Sequence, residues 1–167
     1  MPWNPDKYHQ FQNQRSAPFY DLLKLIDVQG HLRVVDLGCG TGNLTRQLAD
    51  MLPDSDVLGI DSSPQMLARS HEYLRDGLRF EEGDQAELQG EWDLIFSNAA
   101  LQWSQGHAKL IPYLFKRLAQ NGQLLVQMPS NHGGPVHRII TDVAGTEPFQ
   151  TALGGWTRRS PYRGPPS

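Results

Sequence analysis

Asp36-Leu37-Gly38-Cys39-Gly40-Thr41-Gly42 follows the short apolar run Leu32-Arg33-Val34-Val35 and leads into a segment with helical spacing. Glycines at 38, 40 and 42 remove three Cβ atoms where the chain turns sharply from strand to helix. The backbone can then adopt positive φ and approach a ligand closely. The next apolar run, Val57-Leu58-Gly59-Ile60, ends on an acid, Asp61. A carboxylate at the end of a second strand can accept hydrogen bonds from both ribose hydroxyls. The combination points to a nucleotide cofactor.

The spacing of the loop narrows the choice. A dinucleotide fingerprint runs G-x-G-x-x-G, its third glycine allowing close packing of helix on strand. Counted from Gly38, that glycine falls at Asn43. The chain instead has G-x-G-x-G, with Asp36 two residues before the first glycine. A ligand here need not bring a pyrophosphate to the helix N-terminus, and a nicotinamide dehydrogenase is disfavoured. The stretch resembles motif I of the class I S-adenosylmethionine-dependent methyltransferases, D/E-x-G-x-G-x-G.

The totals fit one domain of 167 residues with a single core. Charged residues make up 20% and hydrophobic residues 38% of the chain, and the net charge of −3 is not blocked into patches. That balance argues against a nucleic-acid partner, which favours a basic face. The one cysteine, Cys39, excludes an intrachain disulfide and reads as a small buried turn residue in a reducing compartment. No run approaches a membrane span, and Met1-Pro2-Trp3-Asn4 lacks a signal-peptide pattern, so a cytoplasmic protein is expected. There is no Cys/His cluster, and no metal site is expected.

Strands and helices alternate along the chain. Asn4-Pro5 caps a short helix, and Ser16-Ala17-Pro18 opens a second with Phe19, Leu22, Leu23 and Ile26 at helical spacing, stopped near Gly30. Strands are expected at about 33–38, 56–61, 78–82, 92–97 and 123–128. Helices are expected from Asn43 to Met51 and from Ser63-Pro64 to Gly77. A third runs through Leu110, Ile111, Leu114, Phe115 and Leu118 and is closed by Asn121-Gly122; a last one starts at Pro135. This pattern predicts an α/β fold, a Rossmann-like, doubly wound, mainly parallel sheet; the resemblance to the methyltransferases implies the strand order 3-2-1-4-5. Residues 1–30 form an N-terminal helical segment of the same domain, 31–153 the core, and 154–167 a Pro/Arg-rich tail without a periodic apolar face. Ligands of such folds lie over the carboxyl ends of the strands, where Asp36, Gly38, Gly40, Asp61, Asp84 and Asn98 are expected.

Further segments narrow the resemblance. Trp3-Asn4-Pro5, Gln14 to Pro18, Gly59 to Leu67, Ser97-Asn98-Ala99-Ala100-Leu101-Gln102-Trp103 and Val126-Gln127-Met128-Pro129 together resemble the trans-aconitate 2-methyltransferases. Ser-Asn-x-x-Leu-Gln-Trp is also similar to a segment of the malonyl-carrier-protein methyltransferases. The resemblance covers about residues 3–155. It implies S-adenosylmethionine as cofactor and methyl-ester formation on a small carboxylic acid, most simply trans-aconitate, with a malonyl-acyl carrier protein or a non-catalytic binding fragment as alternatives. Members usually continue into two further strands beside the fifth, so this chain reads as C-terminally shortened. Its fifth strand then becomes an apolar edge open to self-association.

The resemblance also implies roles. Gly38, Gly40 and Gly42 accommodate the methionine and ribose, and Asp36 holds the loop or the amino group. Asp61, with Ser62 beside it, binds the ribose or caps the turn after its strand. Met66 packs on adenine or in the core. Asp84 accepts from the adenine amino group, with Gln85 beside it, or is an ordinary loop acid. Asn98 reaches the methionine end, and Trp103 walls the transfer site or simply packs. Arg15, then His132, His137 and Arg138, are the candidate cations for the acceptor.

Overall fold

The computed structural model describes residues 16–27, 30–129 and 134–154. Its first compact unit contains residues up to 101 and 106–128, and is built on one five-stranded sheet. Helix α1 covers residues 16–23. Then come β1 (Arg33–Leu37), α2 (Asn43–Met51), β2 (Asp56–Asp61), α3 (Pro64–Ser70), β3 (Leu78–Glu82), β4 (Trp92–Asn98), α4 (His107–Phe115) and β5 (Leu118–Gln127). The strand order is β3-β2-β1-β4-β5 and every pairing between the strands is parallel; the alternation predicts the parallel pairing and the resemblance implies the order.

The apolar runs of the central strands reflect burial on both faces, as a parallel sheet covered by helices requires. Side chains alternate between the faces with period two. Val34, Val57, Leu94 and Phe96 meet Phe19, Leu22 and Leu23 of α1 and Leu48 and Ala49 of α2. Val35, Leu37, Leu58, Ile60 and Ile95 join Leu88, Leu101 and the α4 residues Leu110 and Leu114 on the other face. Two separate cores thus clamp β1 and β4, which makes the positions of their carboxyl ends rigid.

Two boundaries differ from the sequence expectation. Helix α3 ends at Ser70, and a 3-10 turn over His71–Tyr73 follows, so Gly77 shapes the entry to β3 instead of ending the helix. Helix α4 ends at Phe115, while Leu118 opens β5 opposite Trp92. Asn121-Gly122 is therefore an irregularity inside β5. The register steps from Trp92↔Leu118 to Leu94↔Gln123, and Asn121 takes a φ of 63°. A Cβ on Gly122 would stand 2.9 Å from the Trp92 carbonyl oxygen. An Asn-Gly pair marks a left-handed backbone step, and a helix end is only one of its uses.

The second unit comprises residues 102–105 and the chain from 129 onward. Its described elements are α5 (Pro135–Ala144) and α6 (Phe149–Ala152). Helix α5 starts at the proline that the sequence marks, and Ile139, Ile140 and Val143 on it are exposed. No helix among the described residues is long and apolar enough to cross a membrane. The tail from 155, with the N-terminal residues 1–15, lies outside the described residues.

Candidate cofactor site

Parallel order brings the carboxyl ends of β3, β2, β1 and β4 into one row. Asp36 is the fourth residue of β1, Asp61 the last of β2, Asp84 the second after β3, and Asn98 the last of β4. The glycine loop runs from β1 to α2 between them.

The loop is held mainly by its own backbone. Gly38 and Cys39 donate to the Ile60 carbonyl at 2.8 and 3.0 Å, and Gly42 donates to the Cys39 carbonyl at 3.0 Å. Gly40 N–H donates to Asp61 Oδ2 at 2.8 Å. These four donors are spent inside the protein and do not form a phosphate cradle. The loop presents Cα surface to a ligand instead.

The three glycines have different reasons to lack a side chain. A Cβ on Gly38 would lie 2.2 Å from Ala100 Cβ, and one on Gly42 would lie within 2.7 Å of Ser70 and 2.8 Å of Phe80. Both are excluded by the protein itself. Gly40, with φ of 57°, meets nothing within 4 Å of its missing Cβ. Its open side is where a ligand can approach the backbone.

Asp36 is 5% exposed, and its Oδ2 accepts from the Thr45 hydroxyl at 2.6 Å. Burial raises its pKa to about 6; the Thr45 hydrogen bond opposes this and the charge of Asp61 adds to it. Among the described residues, no cation offsets the cost of burying this carboxylate. Asp61 accepts from Gly40 through one oxygen and from the Ser63 N–H at 2.9 Å through the other. It thus organises the loop and the turn into α3. Each oxygen keeps a lone-pair direction for a further donor. Cys39 is buried, and burial beside Asp36 and Asp61 pushes its thiol far above the ordinary range, so it is no nucleophile at neutral pH.

The remaining positions divide by exposure. Asn98 Oδ1 is buried without a hydrogen-bond partner, an expensive state for an amide oxygen. The next residue, Ala99, is held at a φ of 54°, uncommon for a residue with a side chain. Ser62 and Met66 are exposed, Met66 near the start of α3, whose N-cap Ser63 accepts from its N–H. Asp84 is exposed and caps a short 3-10 turn by accepting from Ala86 N–H at 2.8 Å; Gln85 is in that turn.

The acceptor candidates fall in the second unit or outside the described residues. Trp103 belongs to the second unit and is 74% exposed. Arg138 is exposed on α5, and for His137 only its place in α5 is described. Arg15 and His132 lie outside the described residues. Sequence reasoning missed Thr45, although a threonine within the apolar stripe Leu48, Ala49 and Leu52 of α2 is a visible irregularity. At the opposite end of the strands, a polar cavity of about 470 Å³ is lined by Asp27, Leu32, Asp93 and residues 120–123. Asp93 there is already committed to Arg33.

A family profile for a methyltransferase domain matches residues 29–146. The chain belongs to this methyltransferase-domain family. Among the relatives it resembles, the trans-aconitate 2-methyltransferase of Deinococcus radiodurans is 51% identical over 158 residues, spanning 95% of this chain and 60% of that protein. The protein of the same name from Escherichia coli is 40% identical, with 97% and 60% of the two chains covered. The chain thus spans about 60% of the length of these curated relatives. A solved structure of an S-adenosylmethionine-dependent methyltransferase from Mesorhizobium loti matches with a TM-score of 0.56 and 32% identity, over 66% of this chain and 51% of that one.

Proposed function

We propose that the chain binds S-adenosylmethionine across the carboxyl ends of β1, β2 and β4 and transfers its methyl group to a small carboxylic acid, trans-aconitate being the leading candidate. The observation that carries this is the setting of Gly40. Its open side lies in a loop tied to Asp61, between a buried carboxylate without a cation and an amide oxygen without a donor. A ligand with positive charge and hydrogen-bond donors suits those groups, and a pyrophosphate does not. Asp61 then takes the ribose hydroxyls, Asp36 and Asn98 the methionine end, and Met66, Asp84 and Gln85 the adenine. Ser62 borders the ribose.

When bound, the cofactor supplies an electrophilic methyl carbon on a cationic sulfur. The protein's task is alignment at attacking distance. A carboxylate acceptor, with a reference pKa of about 4, is already ionised at neutral pH and requires no general base. That agrees with a site in which no acid–base pair is evident. Arg15, Trp103 and His132 are our candidates for holding the acceptor, within a core assigned to residues 31–153 and a cytoplasmic setting.

Calorimetry with S-adenosylmethionine and its demethylated product tests the first half. Binding of both at the folded protein is expected, and absence of both overturns the reading. Mass spectrometry after incubation with trans-aconitate then tests turnover, and a mass gain of one methyl ester is the expected result.

We also propose that β5 pairs with a second copy of this chain. Its ten residues carry no charge and among the described residues it has only β4 as a neighbour, whereas the other edge, β3, carries Arg79, Glu81 and Glu82. Charged edges resist such pairing and bare ones invite it. Sedimentation should find a dimer, and a monomer at every concentration overturns this.

A further inference from the structure

Asp36 and Thr45 do more than fill space. In the sheet register Asp36 lies opposite Gly59 on β2 and Phe96 on β4, neither of which can neutralise its carboxylate. The titratable groups that act on it are Asp61 at the end of β2 and the neutral Cys39 thiol in the loop. From α2 comes only the Thr45 hydroxyl, itself fully buried. With one oxygen tied to α2, the carboxylate group is fixed in place beside the open Gly40 loop.

We propose that Thr45 is a positioning residue for the sulfonium donor: its hydroxyl holds Asp36 as an oriented anion, so that donor uptake is coupled to release of a proton from Asp36. This rests on the cofactor reading above. The balance is simple. The protonated fraction of Asp36 loses its proton to the buffer, and the resulting carboxylate is compensated by the donor's positive charge. The demethylated product carries a neutral sulfur and therefore drives less proton release. The site then distinguishes donor from product by charge, most strongly where Asp36 is partly protonated.

The first test needs no cofactor. Carbon NMR of the Asp36 carboxyl in the unliganded protein should give a midpoint near 6. Thr45→Val keeps the shape and removes the donor, and should raise the midpoint by about one pH unit or more. Thr45→Ser should restore it. An unchanged midpoint in a folded Thr45→Val protein overturns the proposal.

The second test is calorimetry with S-adenosylmethionine in buffers of different ionisation heat. About half a proton should be released per donor bound at pH 6, almost none at pH 8, and less with the demethylated product. Equal release with both ligands, or none with either, overturns the coupling. If the midpoints move as expected but no ligand binds at any pH, the cofactor reading has failed and the coupling falls with it. Protein that binds ligand without releasing a proton leaves the cofactor reading standing and removes only this inference.

Discussion

Asp36 and Asp93 sit on neighbouring strands of one sheet, near opposite ends, and their environments treat them in opposite ways. Asp93, at the start of β4, accepts from the Arg33 backbone N–H at 2.8 Å and from the Arg33 guanidinium at 3.0 and 3.1 Å. Those bonds hold its carboxyl below the usual range. Asp36, near the end of β1, is buried with a hydroxyl as its bonded partner, and its pKa rises to about 6. At the amino end a carboxylate ties β1 to β4 and stabilises the fold. At the carboxyl end a carboxylate is kept at the expense of the fold, which is the pattern of a binding site. On the proposed function, the difference separates the part of the sheet that builds the molecule from the part that would receive a ligand.

The sharpest way to break this division is to disturb the loop that carries the ligand end. Gly38→Ala puts a Cβ 2.2 Å from Ala100 Cβ at a φ of 77°. A loss on the order of 3–5 kcal/mol in urea unfolding is expected, since the Gly38 loop or the backbone at Ala100 must move. Gly40→Ala, with open space at its Cβ, should cost only about 1–2 kcal/mol from its left-handed conformation. It should nevertheless weaken S-adenosylmethionine binding, measured by calorimetry. Equal destabilisation by the two changes would show that the glycines are not divided between packing and ligand approach.

Asp36→Asn tests the cost of the buried charge directly. The folded pKa of about 6 lies above the unfolded value of 3.8, so the native state binds the proton more tightly. Native stability from this group is full below pH 4 and is lost as pH rises through 6. The neutral amide escapes that loss. The variant should therefore gain up to about 3 kcal/mol at pH 8 and nothing at pH 4, read as the difference between two urea titrations. Its donor affinity should fall. A variant no more stable than the parent at pH 8 would mean that the buried carboxylate carries no penalty.

Asp61→Ala should weaken cofactor binding by about 1.5–3 kcal/mol through loss of charge-assisted hydrogen bonds. Because Asp61 also accepts from Gly40 and Ser63, some stability should go with it. An unchanged dissociation constant removes Asp61 from the site.

The strands and most helices were legible because each element carries its own signal, whereas the sheet order came with the resemblance. Val34-Val35, Val57-Leu58 and Leu94-Ile95-Phe96 are doubly buried runs, and Ser63-Pro64 caps α3 as such a pair should. Asn121-Gly122 misled because the same left-handed step serves a helix end and a break in a strand, and only pairing with Trp92 decides between them. The positions proposed for the cofactor are visible in the sequence as strand-end acids and glycines. Which glycine has open space at its missing Cβ is not, since it depends on Ala100, Ser70 and Phe80, which are distant in sequence. Thr45 was hidden for the same reason: its meaning comes from Asp36 across the strand–helix gap.

The smallest expected effect completes the comparison at the amino end. Asp93 and Arg33 are partly exposed, with side-chain exposures of 26% and 49%, so solvent screens much of their attraction. Asp93→Asn should cost only about 1 kcal/mol at neutral pH. The sign is opposite to that at Asp36. The folded pKa of Asp93 is lowered, so its contribution is present above the ordinary carboxylate range and is lost as pH falls through the folded value. Parent and variant should therefore converge in acid, whereas for Asp36→Asn they diverge as pH rises toward 8. Added salt should shrink the Asp93 difference and leave the Asp36 difference nearly intact, because only the exposed pair is reached by the ionic atmosphere. Identical salt responses would show that both carboxylates sit in equivalent surroundings, and the division between a building end and a binding end would then have no electrostatic basis.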